Sequence, residues 1–112
     1  MENSLLVVWT SADKEVAEKM IFMYSTNAKI RGWFEEVTIL IWGPSSKLTS
    51  EDPDIQSLIK KAMDSGVKID ACKACADMYG VADKLIDLGI DVKYAGVPLT
   101  EHLKSDGKIL TF

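Results

Sequence analysis

The chain has 112 residues, which is the length of one ordinary domain and too short for two independent ones. With 47% hydrophobic and 27% charged residues, its composition is that of a folded globular protein and excludes a disordered or low-complexity chain. Thirteen Lys and Arg residues against seventeen Asp and Glu residues give a net charge of -4, which disfavours nucleic acid and anionic lipid as partners. We therefore expect a single domain over residues 1–112.

The longest apolar runs are too short for a signal-peptide core or a membrane span, which needs roughly 20 apolar residues. Two cysteines only three residues apart cannot supply the disulfide framework of a small secreted domain. We therefore expect a cytoplasmic protein that does not enter a membrane.

Short apolar runs alternate with longer amphipathic stretches, a pattern typical of βαβ units and of a parallel sheet. The first predicted strand, Leu5–Trp9, is followed by Ser11 as a helix N-cap and by a helix to about Arg31, which Gly32 ends. The second strand, Val37–Trp42, is apolar at nearly every position, which predicts a central strand covered on both faces.

The next segment predicts a polar loop through Ser50 and then a helix with Asp52 as N-cap and Pro53 at its first position. Gly66 ends this helix, and Val67–Ala71 is the third strand. The remaining predicted elements are two short helices, a fourth strand, a last helix and a fifth strand: Cys72–Tyr79, Ala82–Leu88, Ile90–Tyr94, Pro98–Lys104 and Lys108–Thr111. The order predicts a doubly wound parallel sheet.

The apolar run Met20–Tyr24 breaks the amphipathic pattern of the first helix, since consecutive helical residues point all round the axis. Either the run is buried on two sides within one chain or part of it is a self-association surface. We favour association into a homo-oligomer.

Ligands of doubly wound sheets bind at the carboxyl ends of the strands. The chain places aromatic, hydroxyl and small residues at those ends, and the predicted pocket residues are Trp9, Ser11, Trp42, Gly43, Ser45, Lys73 and Tyr94. Apolar walls around a few polar groups are typical of a small-molecule pocket. Each Trp taken alone also fits a structural role at the end of the core.

Cys72 is the main candidate for chemistry because it falls where the third strand meets a helix. Free backbone N–H groups and the positive end of a helix dipole stabilise a thiolate there, and Lys73 adds a positive charge nearby. A thiolate at this place can accept sulfur as a persulfide or form a disulfide. Cys75, one helical turn further on, can resolve such an adduct.

The stretch Val67–Gly80, VKIDACKACADMYG, resembles the segment of DsrE-like proteins in which a strand leads into a cysteine loop and a short helix ending at a glycine. A narrower pattern, C-x-x-C-x-D-x-Y-G, is similar to the DsrE-like domain of YedF-type proteins associated with selenium metabolism. It is formed by Cys72, Cys75, Asp77, Tyr79 and Gly80.

This resemblance implies a three-layer α/β/α domain with a mostly parallel five-stranded sheet, related to the flavodoxin and Rossmann folds. It also implies that Cys72 carries persulfide sulfur between donor and acceptor proteins, within a homo- or hetero-oligomer. The sequence departs from the sulfur-relay members of the family by having Cys75. Many relatives have no known activity, so family membership argues more strongly for the fold than for the function.

Three other interpretations stay open. A C-x-x-C pair can bind zinc, but a closed site needs four ligands and two subunits would have to share it. A thioredoxin-like oxidoreductase fits less well, since there the motif follows an early strand. A non-catalytic oligomeric module that binds a small molecule or partner, with incidental thiols, is the main alternative. We expect no cofactor and no resident metal, and we expect His102 to be a solvent-facing helical residue.

Overall fold

The computed structural model describes residues 3–112, so the first two residues of the predicted domain lie outside the described part. It contains a five-stranded sheet in the order β4-β3-β2-β1-β5 in which every neighbouring pair is parallel. The strands are Ser4–Trp9 (β1), Glu36–Ile41 (β2), Lys68–Cys72 (β3), Asp91–Lys93 (β4) and Lys108–Thr111 (β5). The predicted α/β class with a parallel sheet is confirmed.

Helices flank the sheet and connect its strands. They are Lys14–Val16 (α1), Met23–Ile30 (α2), Pro44–Glu51 (α3), Pro53–Asp64 (α4), Lys73–Tyr79 (α5), Ala82–Asp87 (α6) and Gly96–Leu103 (α7). A π-helical segment, Ala17–Phe22, joins α1 to α2 in one continuous helix. Among residues 3–112, no helix has both the length and the apolar character needed to span a membrane.

The two faces of the sheet are covered unequally, because alternate residues of a strand point to opposite faces. On one face Val7, Ile39 and Ile69 belong to a large buried cluster. Helical residues of this cluster come from the π-helical segment and from α2, α4, α5 and α6, and include Ile21, Ala28, Ile59, Ala76 and Leu85. On the other face a smaller cluster forms around Leu6 and Leu40, and α7 contributes Leu99 to it.

The apolar run Met20–Tyr24 lies at the junction of the π-helical segment and α2. Ile21 and Phe22 are both buried, although they are adjacent in sequence, and within the run only Met23 is exposed. A π-helical turn holds more residues than an α-helical one, which changes the direction in which the following side chains point. Most of this run therefore packs inside one chain, and Met23 alone remains for the predicted self-association.

The helix that follows β1 is capped by Asp13 and not, as the sequence predicted, by Ser11. The Asp13 carboxylate accepts the backbone N–H groups of Glu15 at 2.9 Å and Val16 at 3.2 Å. The Ser11 hydroxyl instead accepts the N–H of Asp13 at 3.0 Å. A carboxylate at this end is also favoured by the helix dipole.

The predicted polar loop after Gly43 is wrong, since Pro44–Glu51 forms α3. The buried residues of α3 are small and hydroxyl-bearing: Ser45, Ser46 and Thr49. The helix therefore has no stripe of large apolar residues that a sequence pattern would reveal. Its partner α4 begins as predicted, with the Asp52 carboxylate accepting two backbone N–H groups and Pro53 at the first position.

Other boundaries shift by a few residues. β2 ends at Ile41 instead of Trp42, β3 extends to Cys72, β4 is limited to Asp91–Lys93 and α7 begins at Gly96. Changes of this size are common at element ends.

Replacing Asp13 by Ala should lower the free energy of unfolding by about 1 kcal/mol, because two backbone N–H groups lose their acceptor. Ser11→Ala is the matched control and should change it by less than about 0.5 kcal/mol. Urea denaturation followed by circular dichroism measures both values. An equal or larger loss for Ser11→Ala would contradict the assignment of Asp13 as the cap.

Candidate functional site

The carboxyl ends of β1 and β2 are joined by one buried side chain. The Ser45 hydroxyl donates to the Trp9 carbonyl at 2.6 Å and accepts the Trp42 N–H at 3.2 Å. The Ser45 N–H donates to the carbonyl of Thr10 at 3.1 Å. Ser45 and Trp9 are both fully buried, so these two predicted pocket residues lie beneath the surface.

Gly43 begins the turn from β2 into α3 with φ 76° and ψ -134°. This left-handed extended conformation is costly for any residue with a Cβ. A Cβ at this position would meet no atom within 4 Å, so the backbone angle and not the available space requires glycine. In this conformation the Gly43 N–H donates a hydrogen bond to the Cys75 thiol.

Cys72 is the last residue of β3 and the N-cap of α5, as the sequence predicted for a strand-to-helix junction. Its side chain is only 4% exposed and packs in the smaller apolar cluster with Leu40 and Ala95. It makes no side-chain capping hydrogen bond to α5. The thiol therefore lies just under the surface at the carboxyl end of the sheet.

Cys75 lies beside Cys72 and is the more exposed of the two thiols, neither of which is in a disulfide. Burial raises the pKa of Cys75 above its ordinary value, and a hydrogen bond with the Cys72 thiol raises it further. The Gly43 N–H acts in the opposite direction but does not reverse the shift. Cys75 is therefore protonated at neutral pH and can donate its S–H to the Cys72 sulfur.

Lys73 lies at the rim of the site, but its charge is directed toward other groups. Its ammonium forms an ion pair with Asp77 at 2.7 Å and lies 5.5 Å from the ring centroid of Tyr94. The hydrogen bond to Asp77 raises the pKa of Lys73 above its usual value. Since both partners are well exposed, solvent screens this pair.

The predicted pocket residues therefore fall into three groups. Half-buried Trp42 packs with Cys75 against the smaller cluster, and Gly43 contacts the same thiol. Tyr94 is 70% exposed and adjoins Lys73 at the rim. Trp9 and Ser45 lie buried beneath the site, whereas the Ser11 hydroxyl accepts the backbone N–H of Asp13 before the first helix.

Two residues near the site were not among the predicted site residues, although one of them, Asp77, belongs to the C-x-x-C-x-D-x-Y-G pattern. Asp77 holds Lys73, and the i,i+4 spacing of opposite charges on a helix is a signal that could have identified the pair. Ala95 packs in the cluster that contains Cys72. A lone alanine in a loop gives no such signal.

His102 is buried at 8% exposure, so the prediction of a solvent-facing residue is wrong. Its Nε2 lies 3.1 Å from the Lys108 carbonyl, and a Cβ on Gly107 would come within 2.4 Å of the same nitrogen. His102 thus ties α7 to β5. Within residues 3–112, no three His, Cys, Asp or Glu side chains come together in a group able to hold a metal ion.

Residues 4–112 match the model of the DsrE/DsrF-like family. A conserved protein of unknown function from Bacteroides thetaiotaomicron, BT1422, is 41% identical, with a TM-score of 0.95 over 98% of this chain and 95% of that chain. The YchN protein from E. coli is 17% identical with a TM-score of 0.74 over the full length of both chains, a likeness in fold. No curated protein matches the chain.

The raised pKa of Cys75 predicts slow alkylation at neutral pH, because only the thiolate reacts. The rate at which iodoacetamide alkylates Cys75 should reach half its maximum at a pH above the ordinary thiol pKa of about 8.5. In Cys72→Ala the midpoint should fall, since the hydrogen bond and charge of Cys72 are removed. Peptide mapping separates the two thiols, because trypsin cleaves after Lys73. A midpoint that does not move would contradict the proposed contact between the thiols.

Proposed function

The chain belongs to the DsrE/DsrF-like family, and on that premise we propose that it carries sulfur as a persulfide on Cys72. The observation that supports this most directly is the pair of adjacent thiols at the carboxyl end of β3. Burial and the hydrogen bond with Cys72 raise the pKa of Cys75, so we assign the attack to Cys72 and the role of hydrogen-bond donor to Cys75. The Cys75 S–H donates to the sulfur that must bear negative charge during the reaction.

The loading step is an exchange between a thiolate and a persulfide. The Cys72 thiolate attacks the outer sulfur of a donor R–S–S–H, a bond forms between the two sulfurs, and the donor S–S bond breaks. The donor leaves as the thiolate R–S⁻, and Cys72 becomes a persulfide that retains the proton of the outer sulfur. No oxidant or reductant is consumed.

Unloading follows one of two balanced routes. An acceptor thiolate can take the outer sulfur by the reverse of the loading step. Alternatively, the Cys75 thiolate attacks Cys72 Sγ and hydrosulfide leaves. The second route leaves a disulfide between Cys72 and Cys75, which a thiol reductant must reopen. The raised pKa of Cys75 slows this second route at neutral pH.

A binding module without sulfur chemistry is the second candidate, and the burial of Cys72 favours it. A thiol that is 4% exposed among apolar side chains reaches a donor only if the covering residues move. In this alternative the two thiols are packing residues, and the chain binds a small molecule or a partner.

The proposal includes donor and acceptor proteins, self-association and a reducing, cytoplasmic location that suits two unoxidised thiols. For self-association, the exposed apolar residues on and after α2 are the best candidates. Met23, Ile30 and Trp33 are 56%, 62% and 52% exposed. Met23 and Ile30 line one surface depression together with Leu58, and exposed apolar side chains that lie together commonly mark an interface.

Incubation of reduced protein with a persulfide donor, such as a cysteine desulfurase with cysteine, should add one sulfur to Cys72. Mass spectrometry of the tryptic peptide measures the gain. Cys72→Ser should abolish it, while Cys75→Ser should keep loading and slow the release of hydrosulfide. The double variant is the background control.

Two results would decide against this proposal. Absence of added sulfur, together with ordinary reactivity of both thiols toward alkylating reagents, would favour the binding module. Equal loss of loading in Cys72→Ser and Cys75→Ser would indicate that the two thiols act as a disulfide or metal pair.

Sedimentation velocity at micromolar concentration should give a species larger than one chain. Combined Met23→Glu and Ile30→Glu should shift it to the monomer, since two buried charges oppose association. Exposed Lys60→Glu is the matched control and should leave the mass unchanged. If the protein without these substitutions sedimented as a monomer, that result would contradict the predicted homo-oligomer.

A further inference from the structure

A groove of about 230 Å³ lies on the sheet face that α7 covers, apart from the large core. Its apolar part is formed by Leu6 and Leu40 of the sheet, Ala95 just before α7 and Leu99 on α7. At about 30 Å³ per water molecule, this volume equals roughly seven or eight waters. It therefore suits a compound with a similar number of non-hydrogen atoms, smaller than a nucleotide or a drug-sized ligand.

The polar part of the groove carries both signs of charge. Glu36 and Asp70 supply carboxylates, and Lys68 and Lys93 supply ammonium groups. The Lys93 ammonium lies 3.3 Å from Asp70 and 3.2 Å from Asp91. Burial lowers the pKa of Lys93, but the two carboxylates outweigh it, so the pKa is raised and Lys93 is cationic at neutral pH. Two cations and two anions on one wall are complementary to a zwitterion.

Asp70, one of the charged residues of the groove, is on the same strand as Cys72. Asp70 and Cys72 are alternate residues of β3 and lie on the same face of the sheet, about 7 Å apart along the strand. Leu40, Ala95 and Leu99 line the groove and also belong to the cluster that buries Cys72. A ligand head group beside Asp70 therefore has its other end against the side chains that cover the thiol.

We propose that this groove binds an α-amino acid that carries a thiol or persulfide sulfur. Its carboxylate pairs with Lys68 and Lys93, its ammonium pairs with Asp70, and its sulfur lies against Leu40 and Ala95 on the Cys72 side. This inference rests on the proposed function only for the orientation of the ligand, which places its sulfur toward Cys72. In the loading step, R is then the amino acid, which leaves as its own thiolate when Cys72 gains the outer sulfur.

The probe is S-methyl-L-cysteine, which has the zwitterionic head and the sulfur but cannot transfer sulfur. Titration into ¹⁵N-labelled Cys72→Ser should shift the backbone amides of Asp70, Ala95 and Leu99. Lys93→Met and Lys68→Met should each weaken binding by about tenfold or more, because each removes a charged hydrogen bond. Lys60 is an exposed residue of α4, so Lys60→Met is the matched control and should bind the probe normally.

Two reference compounds separate the contributions of head and sulfur. Ethyl methyl sulfide, which has no charged head, should bind at least tenfold more weakly, and glycine should bind but leave the Ala95 amide unshifted. Amide shifts that are absent, or that lie outside the groove, would overturn the inference. Equal binding of Lys68→Met and the parent variant would also overturn it, even if Lys93→Met failed to fold.

The outcomes separate this inference from the proposed function. Binding of S-methyl-L-cysteine in the groove without sulfur loading on Cys72 would support the groove and refute persulfide handling. Loading of Cys72 by a protein donor, with no binding of the probe, would refute the groove as an amino-acid site and leave persulfide handling intact.

Discussion

The arrangement of the site depends on the buried hydroxyl of Ser45. Parallel strands that end together leave backbone groups beyond their last ladder bonds, and buried groups of this kind need partners. The Trp42 N–H donates to the Trp9 carbonyl at 3.0 Å and also to the Ser45 hydroxyl at 3.2 Å, and that hydroxyl donates to the same carbonyl. Ser45 thereby holds the start of α3 against the ends of β1 and β2, next to the turn in which the Gly43 N–H donates to Cys75. A hydroxyl on α3 thus acts on the thiol pair through the backbone.

Much of the fold could be predicted from local patterns, and its failures have identifiable causes. β1 and β2 are largely apolar runs rich in β-branched and aliphatic residues. The Asp52-Pro53 start of α4 uses two independent helix signals. By contrast, α3 packs through Ser46 and Thr49, so its buried side cannot be distinguished from a polar loop. The π-helical segment packs against α4, a contact that no short window of sequence contains.

The candidate site was predictable in its position but not in its exposure. That Cys72 falls between a strand and a helix follows from the sequence on either side of it. Its burial depends on Ala95 and Leu99, which come from a later loop and helix, so tertiary structure decides it. His102 shows the same limit, because its place is determined by contact with Lys108 on β5. Local patterns identify which groups are reactive, while distant segments decide whether solvent reaches them.

The all-parallel sheet has a consequence for how the chain reaches its native state. The neighbouring strands of this sheet are parallel, so no hairpin joins them. Each pair of strands can form its hydrogen bonds only after the long segment that connects them has folded back. The Thr10 hydroxyl donates to the Phe112 carbonyl, 102 residues away in the sequence. Closing such loops costs entropy before any contact is gained, which slows folding in proteins dominated by distant pairings. During that interval the apolar strands are exposed to other nascent chains, so crowding and chaperone supply bear directly on the yield of this protein.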